Sequence, residues 1–342
     1  MPEDTLLGPV LKSVSRSFYL TLAVLPANVR TQVGLAYLLA RAADTIADTD
    51  LIERSRRLHY LTRFREWVLE PRVNAAAVQE IQSALLPHQR GAERMLLEQL
   101  EDCRRILETF TGEDQERIRR VLDILTTGMV KDLVVFAGNT AHELAALKTL
   151  ADLDQYTYDV AGCVGEFWTR MMCAQRTALR NWDVEAMSQV GVRFGKGLQL
   201  TNVLRDSAKD LRRGRCYIPQ DLLDQVGLAP ADLLDPAVLP KFRPVLIHLL
   251  RIALEHLDQG WLYTMAIPPR ELRLRLACAW PILFGVKTLQ RVSTAPHLLD
   301  PRATIKMTRG EVYRDMALVG GTLGCGRLLT SYYGHLRKGV AC

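Results

Sequence analysis

The sequence predicts an all-α fold, and three observations carry that prediction. Apolar residues recur at helical spacing through nearly the whole chain, and no stretch of useful length alternates apolar and polar residues as a half-buried strand would. Gly, Pro, Ser, Thr and Asp punctuate that pattern where helices should stop and start. No repeat and no low-complexity linker interrupts the 342 residues. A single all-α domain over residues 1–342 is therefore expected.

In chain order, Leu11-Lys-Ser-Val-Ser15-Arg16-Ser17-Phe18 places hydroxyls beside an arginine. That grouping suits a phosphate, which the guanidinium meets with a fork of donors; it equally suits a helix cap. Leu25-Pro26 breaks the chain before a helix that carries Tyr37, Arg41, Asp44 and Asp48 on one face, at steps of four, three and four. The rest of that helix is apolar nearly all round, which predicts burial. Two carboxylates one turn apart in such a helix require a cationic partner.

From Leu51 to Pro87 the pattern is helical with mixed charge, including Arg54, Arg56 and Arg57, and reads as a solvated face. Helices are predicted over 92–110, 114–136 and 141–151. Within residues 153–173, Gly162 and Gly165 lie inside a helical pattern. Each costs about 1 kcal/mol against alanine, so another backbone or a ligand should approach there. Tyr156, Val160, Cys163 and Phe167 form one core stripe, with Tyr156 at its end able to face a cavity. The next helix places Gln199, Asn202, Asp206 and Asp210 within roughly 80° of one another. Arg205 flanks that face, and Gly214 and Pro219 end the helix in a basic loop. Helices over 241–265 and 270–292 follow, the second with Pro281 inside it, then a last one from 309.

Composition narrows the function. Hydrophobic residues make up 48% and charged residues 24%, ordinary for a globular protein, and the net charge is +6. That charge suits an anionic small substrate or an anionic membrane surface; no Lys/Arg tract interleaved with aromatics marks a nucleic-acid partner. No secretory signal and no spanning apolar run are visible, so a cytoplasmic protein, with at most a peripheral membrane contact for product release, is expected. The seven cysteines lack C-x-x-C spacing and read as reduced thiols. The seven histidines form no zinc pattern.

A single Asp-x-x-x-Asp is weak, since such pairs usually lie on a wet surface. Two of them, Asp44/Asp48 and Asp206/Asp210, in apolar helices and beside amides or an arginine, point to Mg²⁺. That ion commonly takes one or two carboxylates and fills its shell with water and substrate phosphates. Two such helices facing each other would hold Mg²⁺ against a diphosphate, with Arg16, Arg41, Arg205, Lys306 and Arg309 neutralising what charge remains. Ionisation of an allylic diphosphate is the chemistry expected, the metals stabilising the leaving group and an apolar cavity excluding water. No P-loop and no strand followed by G-x-G-x-x-G is present.

These motifs, which run from about residue 10 to about 315, resemble the squalene/phytoene synthases, and the resemblance implies a single-domain helical bundle around a central cavity. The matching residues are Ser15-Arg16-Ser17-Phe18, Tyr37 with Arg41-Ala-Ala-Asp44-Thr-Ile-Ala-Asp48, Tyr156 with Val160-Ala161-Gly162 and Gly165, and Thr201-Asn202-Val-Leu-Arg205-Asp206 with Asp210. The Asp-Thr start of the first motif, Cys278-Ala-Trp280-Pro281 and Ile305-Lys306-Met-Thr308-Arg309-Gly310 are more similar to the squalene branch than to the phytoene branch. The resemblance implies head-to-head condensation of two farnesyl diphosphates through presqualene diphosphate, then reduction by NADPH to squalene. It implies Asp44, Asp48, Asp206 and Asp210 as Mg²⁺ ligands, with Mn²⁺ as a substitute. Ser15, Arg16, Ser17, Phe18, Tyr37, Arg41, Gln199, Asn202 and Arg205 would bind substrate and its diphosphate, Tyr156 would assist catalysis, and Asn202, Arg205, Lys306 and Arg309 would bind NADPH. The oligomeric state stays open and is compatible with a monomer.

Three departures qualify what the resemblance implies. Ala47 stands where animal squalene synthases have an acidic residue, Asp159 where the family has a tyrosine before Val-Ala-Gly, and Thr308 where the basic stretch has an arginine. One residue is 100° of helix, so Tyr158 cannot simply replace the missing tyrosine; Tyr156 as the substitute and a different role for Asp159 both stay open. Dehydrosqualene, presqualene diphosphate and phytoene stay open as alternative products. A non-catalytic lipid-binding or assembly protein is the alternative of another class, and it would have no need of both aspartate pairs.

Overall fold

The computed structural model describes residues 6–15, 19–70, 75–322 and 325–341. It is all-α as expected: among the described residues the only strands are the two-residue segments Ala145–Ala146 and Arg215–Cys216, paired in parallel. The chain divides into two compact units, Met1–Val134 with Phe167–Thr177, and Val135–Glu166 with Ala178–Cys342.

The first unit holds α1 (Ala27–Ala47), α2 (Arg54–Leu69), α3 (Ala75–Leu85), α4 (Gly91–Glu98), α5 (Leu100–Thr109) and nearly all of α6 (Gly112–Val135). Pro26 occupies the N-cap of α1, where its missing N–H costs nothing. Leu35, Leu38, Leu39, Ala42, Ala43 and Ile46 of α1 are buried, as its nearly all-round apolar surface requires, and the helix packs on α2, α4 and α5. The single helix expected over 92–110 breaks at Gln99, whose N–H turns back to the Leu96 carbonyl. Two arginines of this unit are interior. Arg104 donates to the Trp67 and Glu70 carbonyls and so satisfies orphan acceptors at the end of α2. Arg57, expected on a solvated face, is 1% exposed.

The second unit contains α7 (Leu150–Thr157), the first turn of α8 (Cys163–Gln175), α9 (Val184–Arg212), α10 (Leu239–Ala266), α11 (Leu272–Thr294), α12 (Arg309–Thr322) and α13 (Gly326–Lys338). Helix α9 packs along α10, and both pack on α11. No single helix spans 141–151. A 3₁₀ turn at Ala141–Glu143 leads into Ala145–Ala146, and the Ala145 and Leu147 amides donate to the Gly214 and Cys216 carbonyls. That pairing competes successfully with a helix; α7 starts only at Leu150, capped reciprocally by Thr149 and Asp152. Helix α11 continues through Pro281, and Gly214, at φ +78°, ends α9 where the sequence placed the stop.

The close approach anticipated at Gly165 is backbone against backbone, whereas a Cβ on Gly162 would meet the side chains of Tyr158, Val192 and Lys196 at 3.2–3.3 Å. A Cβ on Gly165 would lie 1.9 Å from the Gly191 carbonyl oxygen of α9, and one on Gly195 2.2 Å from the Ala161 carbonyl oxygen. Residues Tyr158–Gly162, which include the Ala161 crossing, form a π turn, the Cys163 N–H reaching the Tyr158 carbonyl. Of the six described cysteines, all are free thiols and four are buried. No helix among the described residues is long and apolar enough to cross a membrane.

Candidate active site

In the first unit the site residues lie on the C-terminal half of α1. Arg41 pairs with Asp44 one turn along the same helix, and its other terminal nitrogen reaches Glu93 of α4 at 3.1 Å. The carboxylates are not buried as expected, since Asp44 is half-buried and Asp48 exposed; the cation beside Asp44 is Arg41, shared between two acids. Nothing in the sequence marks Glu93, because an acidic residue in a first turn is ordinary dipole compensation. The Tyr37 hydroxyl lies 3.5 Å from the Val14 carbonyl. Ser15 is buried and donates back to the Leu11 carbonyl. Arg16, Ser17 and Phe18 lie outside the described residues. Asp48 is the C-cap of α1, exposed, with no side chain among the described residues pairing with its carboxylate.

In the second unit, α9 presents the other constellation. The Asn202 amide donates to Gln199 Oε1 at 3.4 Å, and Gln199 Nε2 donates to the Tyr156 hydroxyl at 3.2 Å. The Tyr156 ring stacks on Tyr217 at 4.5 Å, and Tyr217 meets Phe136 edge-on at 4.9 Å. Tyr217, which sequence reasoning left in the loop after α9, therefore sets the orientation of Tyr156. Tyr158 belongs to a different set: Lys196, bound to both Asp154 oxygens at 2.7 Å, sits over its ring. Asp159 is buried and accepts from Gln155 at 2.8 Å.

Farther along α9, Arg205 grips Asp206 through two hydrogen bonds, 3.0 and 2.5 Å. Asp210, one turn on, has no such clamp among the described residues. Burial first, and then the negative charge of Asp206, push its carboxyl up to about 7 against the pull of Arg215, Lys209 and Arg213. Lys306 and Arg309 are both exposed, at the entrance to α12. Between them Thr308 forms a capping box with Glu311: its amide and hydroxyl donate to Glu311 Oε2 at 2.7 and 2.9 Å, and the Glu311 amide donates back at 3.2 Å. Thr308 is occupied with starting a helix.

Among the described residues no group of three or more acidic, histidine or cysteine side chains gathers to form a metal cage. The donor sets nonetheless fit Mg²⁺, which binds through one or two carboxylates when phosphates and water complete its shell. Asp206 with Asp210 fits best: a carboxyl held near 7 by burial and a like charge loses its proton when a cation arrives. The Lys306/Arg309 pair fits a phosphate in charge only.

Comparison with known proteins bears on the family and the fold. A family model described as squalene/phytoene synthase matches residues 11–309. The squalene synthase ERG9 of Saccharomyces cerevisiae is 27% identical over 337 residues, covering 97% of this chain and 70% of that protein. The solved structure of TcSQS with the ligand BPH1237 has a TM-score of 0.78 at 22% identity, covering 99% of this chain and 92% of that one. A dehydrosqualene synthase in complex with ligand gives 0.62 at 20% identity, over 94% and 96% of the two chains. At these identities the structures speak for the fold, and the match over residues 11–309 speaks for the family. The chain belongs to the squalene/phytoene synthase family and is an enzyme of the prenyltransferase kind.

Proposed function

We propose that this enzyme is a squalene synthase that joins two farnesyl diphosphates head to head. The observation that carries the reading is the Asp206/Asp210 pair on α9, whose mutual repulsion a divalent cation would relieve. Asp44 and Asp48 in the first unit, and Asp206 and Asp210 in the second, would each hold Mg²⁺, with substrate diphosphate completing the shell. When bound, the metal would stabilise the departing diphosphate, a contribution of several kcal/mol. Arg41 and Arg205 stand beside these carboxylates as diphosphate donors. Each is held by an aspartate, so each must divide its donors between protein and substrate. Tyr156, oriented by Gln199 and Tyr217, is the hydroxyl proposed to act on the ionising substrate.

Reduction to squalene would take its hydride from NADPH, for which Asn202, Arg205, Lys306 and Arg309 are the proposed contacts. One observation favours a second reading. Thr308, where the squalene branch has an arginine, is committed to the cap of α12, which leaves the basic stretch one cation short. Dehydrosqualene or presqualene diphosphate as the end product is that reading.

Purified protein with farnesyl or geranylgeranyl diphosphate and Mg²⁺, with and without NADPH, tests both. Squalene is expected only when NADPH is present; a product unchanged by NADPH refutes the squalene assignment. Asp44→Asn and Asp206→Asn should each cut condensation on the order of 100-fold. If both leave it intact, the metal reading is wrong.

A further inference from the structure

We infer that Arg57 and Gln89 are positioning residues that hold the turn bearing Asp48 so that its carboxylate projects, unpaired, toward a divalent cation. The inference rests on the proposed role of Asp48 as a metal ligand.

The end of α1 is a poor place for a free carboxylate. A helix C-terminus carries about half a negative charge and exposes orphan carbonyls, and Asp48 is the C-cap. A carboxylate there should fray the turn or seek a nearby cation. Neither happens, because the residues on both sides of it are tied down. The Ala47 carbonyl, immediately before Asp48, accepts from Arg57 Nη1 at 3.1 Å. Arg57 comes from α2 and is 1% exposed. Immediately after Asp48, Thr49 is buried; its hydroxyl donates to the Thr45 carbonyl at 2.6 Å and accepts from Gln89 Nε2 at 2.7 Å. Gln89 follows the 3₁₀ turn Leu86–His88, so the brace reaches Asp48 from two separate elements.

The division of partners is informative. The same Nη1 of Arg57 also lies 3.3 Å from Asp50 Oδ1, so the buried guanidinium neutralises the helix end and pairs with Asp50. Among the described residues no side chain pairs with the Asp48 carboxylate. A ligand whose neighbours are fixed while its own oxygens stay free is preorganised for a metal. Partners in this outer position typically change metal affinity by about 10–100-fold when removed. The brace also answers the loss of an acidic residue at Ala47: with fewer carboxylates on this turn, the placement of Asp48 matters more.

The test is calorimetric titration of the full chain with Mg²⁺ in the presence of inorganic diphosphate, alongside condensation activity. Gln89→Ala should raise the half-saturating Mg²⁺ about tenfold, and Arg57→Lys should do so by at least as much, with circular dichroism unchanged. In an Asp48→Asn background the Gln89→Ala effect should vanish, which a general structural defect would not produce. If Asp48→Asn weakens Mg²⁺ binding and Gln89→Ala does not, the brace is refuted and the metal role of Asp48 stands. If Asp48→Asn itself leaves Mg²⁺ binding unchanged, the metal role fails and the inference falls with it. Should Arg57→Lys not fold, the Gln89 cycle decides alone.

Discussion

Replacing Gly165 by alanine should destabilise the enzyme, although alanine is the better helix former by about 1 kcal/mol. The new Cβ would lie 1.9 Å from the Gly191 carbonyl oxygen and 2.4 Å from its carbon, both backbone atoms that cannot rotate away. To reach even 3.0 Å, below which such contacts are essentially never seen, the first turn of α8 and the facing turn of α9 must part by about 1 Å. A gap of that size forfeits a quarter to a half of each van der Waals contact along the seam, and overpacking costs roughly 1–3 kcal/mol. Set against the propensity gain, this leaves a net loss of up to about 2 kcal/mol, or up to about 8 °C in Tm. Function should suffer further, since α9 carries Gln199 through Asp210 and Asp206 lies about 22 Å along the helix from Gly191. A displacement of this order can cost up to about 100-fold in rate. Gly334→Ala in α13 is the control: no atom lies within 4 Å of its Cβ position, so it should stabilise by about 0.5–1 kcal/mol. Thermal and urea unfolding of the two variants beside wild type check both signs. A Gly165→Ala protein as stable as wild type would refute the seam argument.

Acid should weaken the second unit through His256. Burial, then Arg193 and Lys196, hold its imidazole down to about 4 from 6.5. The folded protein keeps it neutral while the unfolded chain takes a proton, so stability is whole above pH 6.5 and is lost as pH falls toward 4. Partial exposure limits the loss to about 1 kcal/mol at around pH 5. His256→Gln should therefore shrink the difference in Tm between about pH 7 and pH 5 by about 2–4 °C, and an unchanged difference would count against it. Thr308→Ala should cost about 1 kcal/mol and speed amide exchange in the first turn of α12, with Thr308→Asp restoring protection. If exchange at the Glu311 amide is insensitive to both, the cap is not formed in solution.

What could be read from the sequence was whatever one helix decides by itself. The shared face of Tyr37, Arg41, Asp44 and Asp48, the stop at Gly214 and the close approach at Gly165 follow from periodicity and from the cost of glycine. What escaped was set by which helix packs on which. Glu93 on Arg41, Arg57 on the Ala47 carbonyl and Tyr217 on Tyr156 come from other elements, separated in sequence by 52, 10 and 61 residues, and periodicity within α1 or α7 carries no trace of them. The π turn at Tyr158–Gly162 is a third case. It adds a residue to one turn, so counting 100° per residue across it misphases everything beyond. The cap at Thr308 was legible as Thr-x-x-Glu, a spacing with its own mechanism.

That last residue bears on the product as well as on the fold. An arginine at position 308 would put a third cation between Lys306 and Arg309 but would strip α12 of its cap. Glu311 would lose the hydroxyl of Thr308 and the capped turn around it, keeping Arg291 at 2.5 Å. The threonine thus gives up a positive charge for helix order. Thr308→Arg separates the two: if NADPH reduction needs that charge, the variant should turn over with a lower KM for NADPH while losing about 1 kcal/mol of stability. A variant that loses stability with the KM unmoved would show that position 308 serves the helix alone, and that Lys306 and Arg309 already suffice.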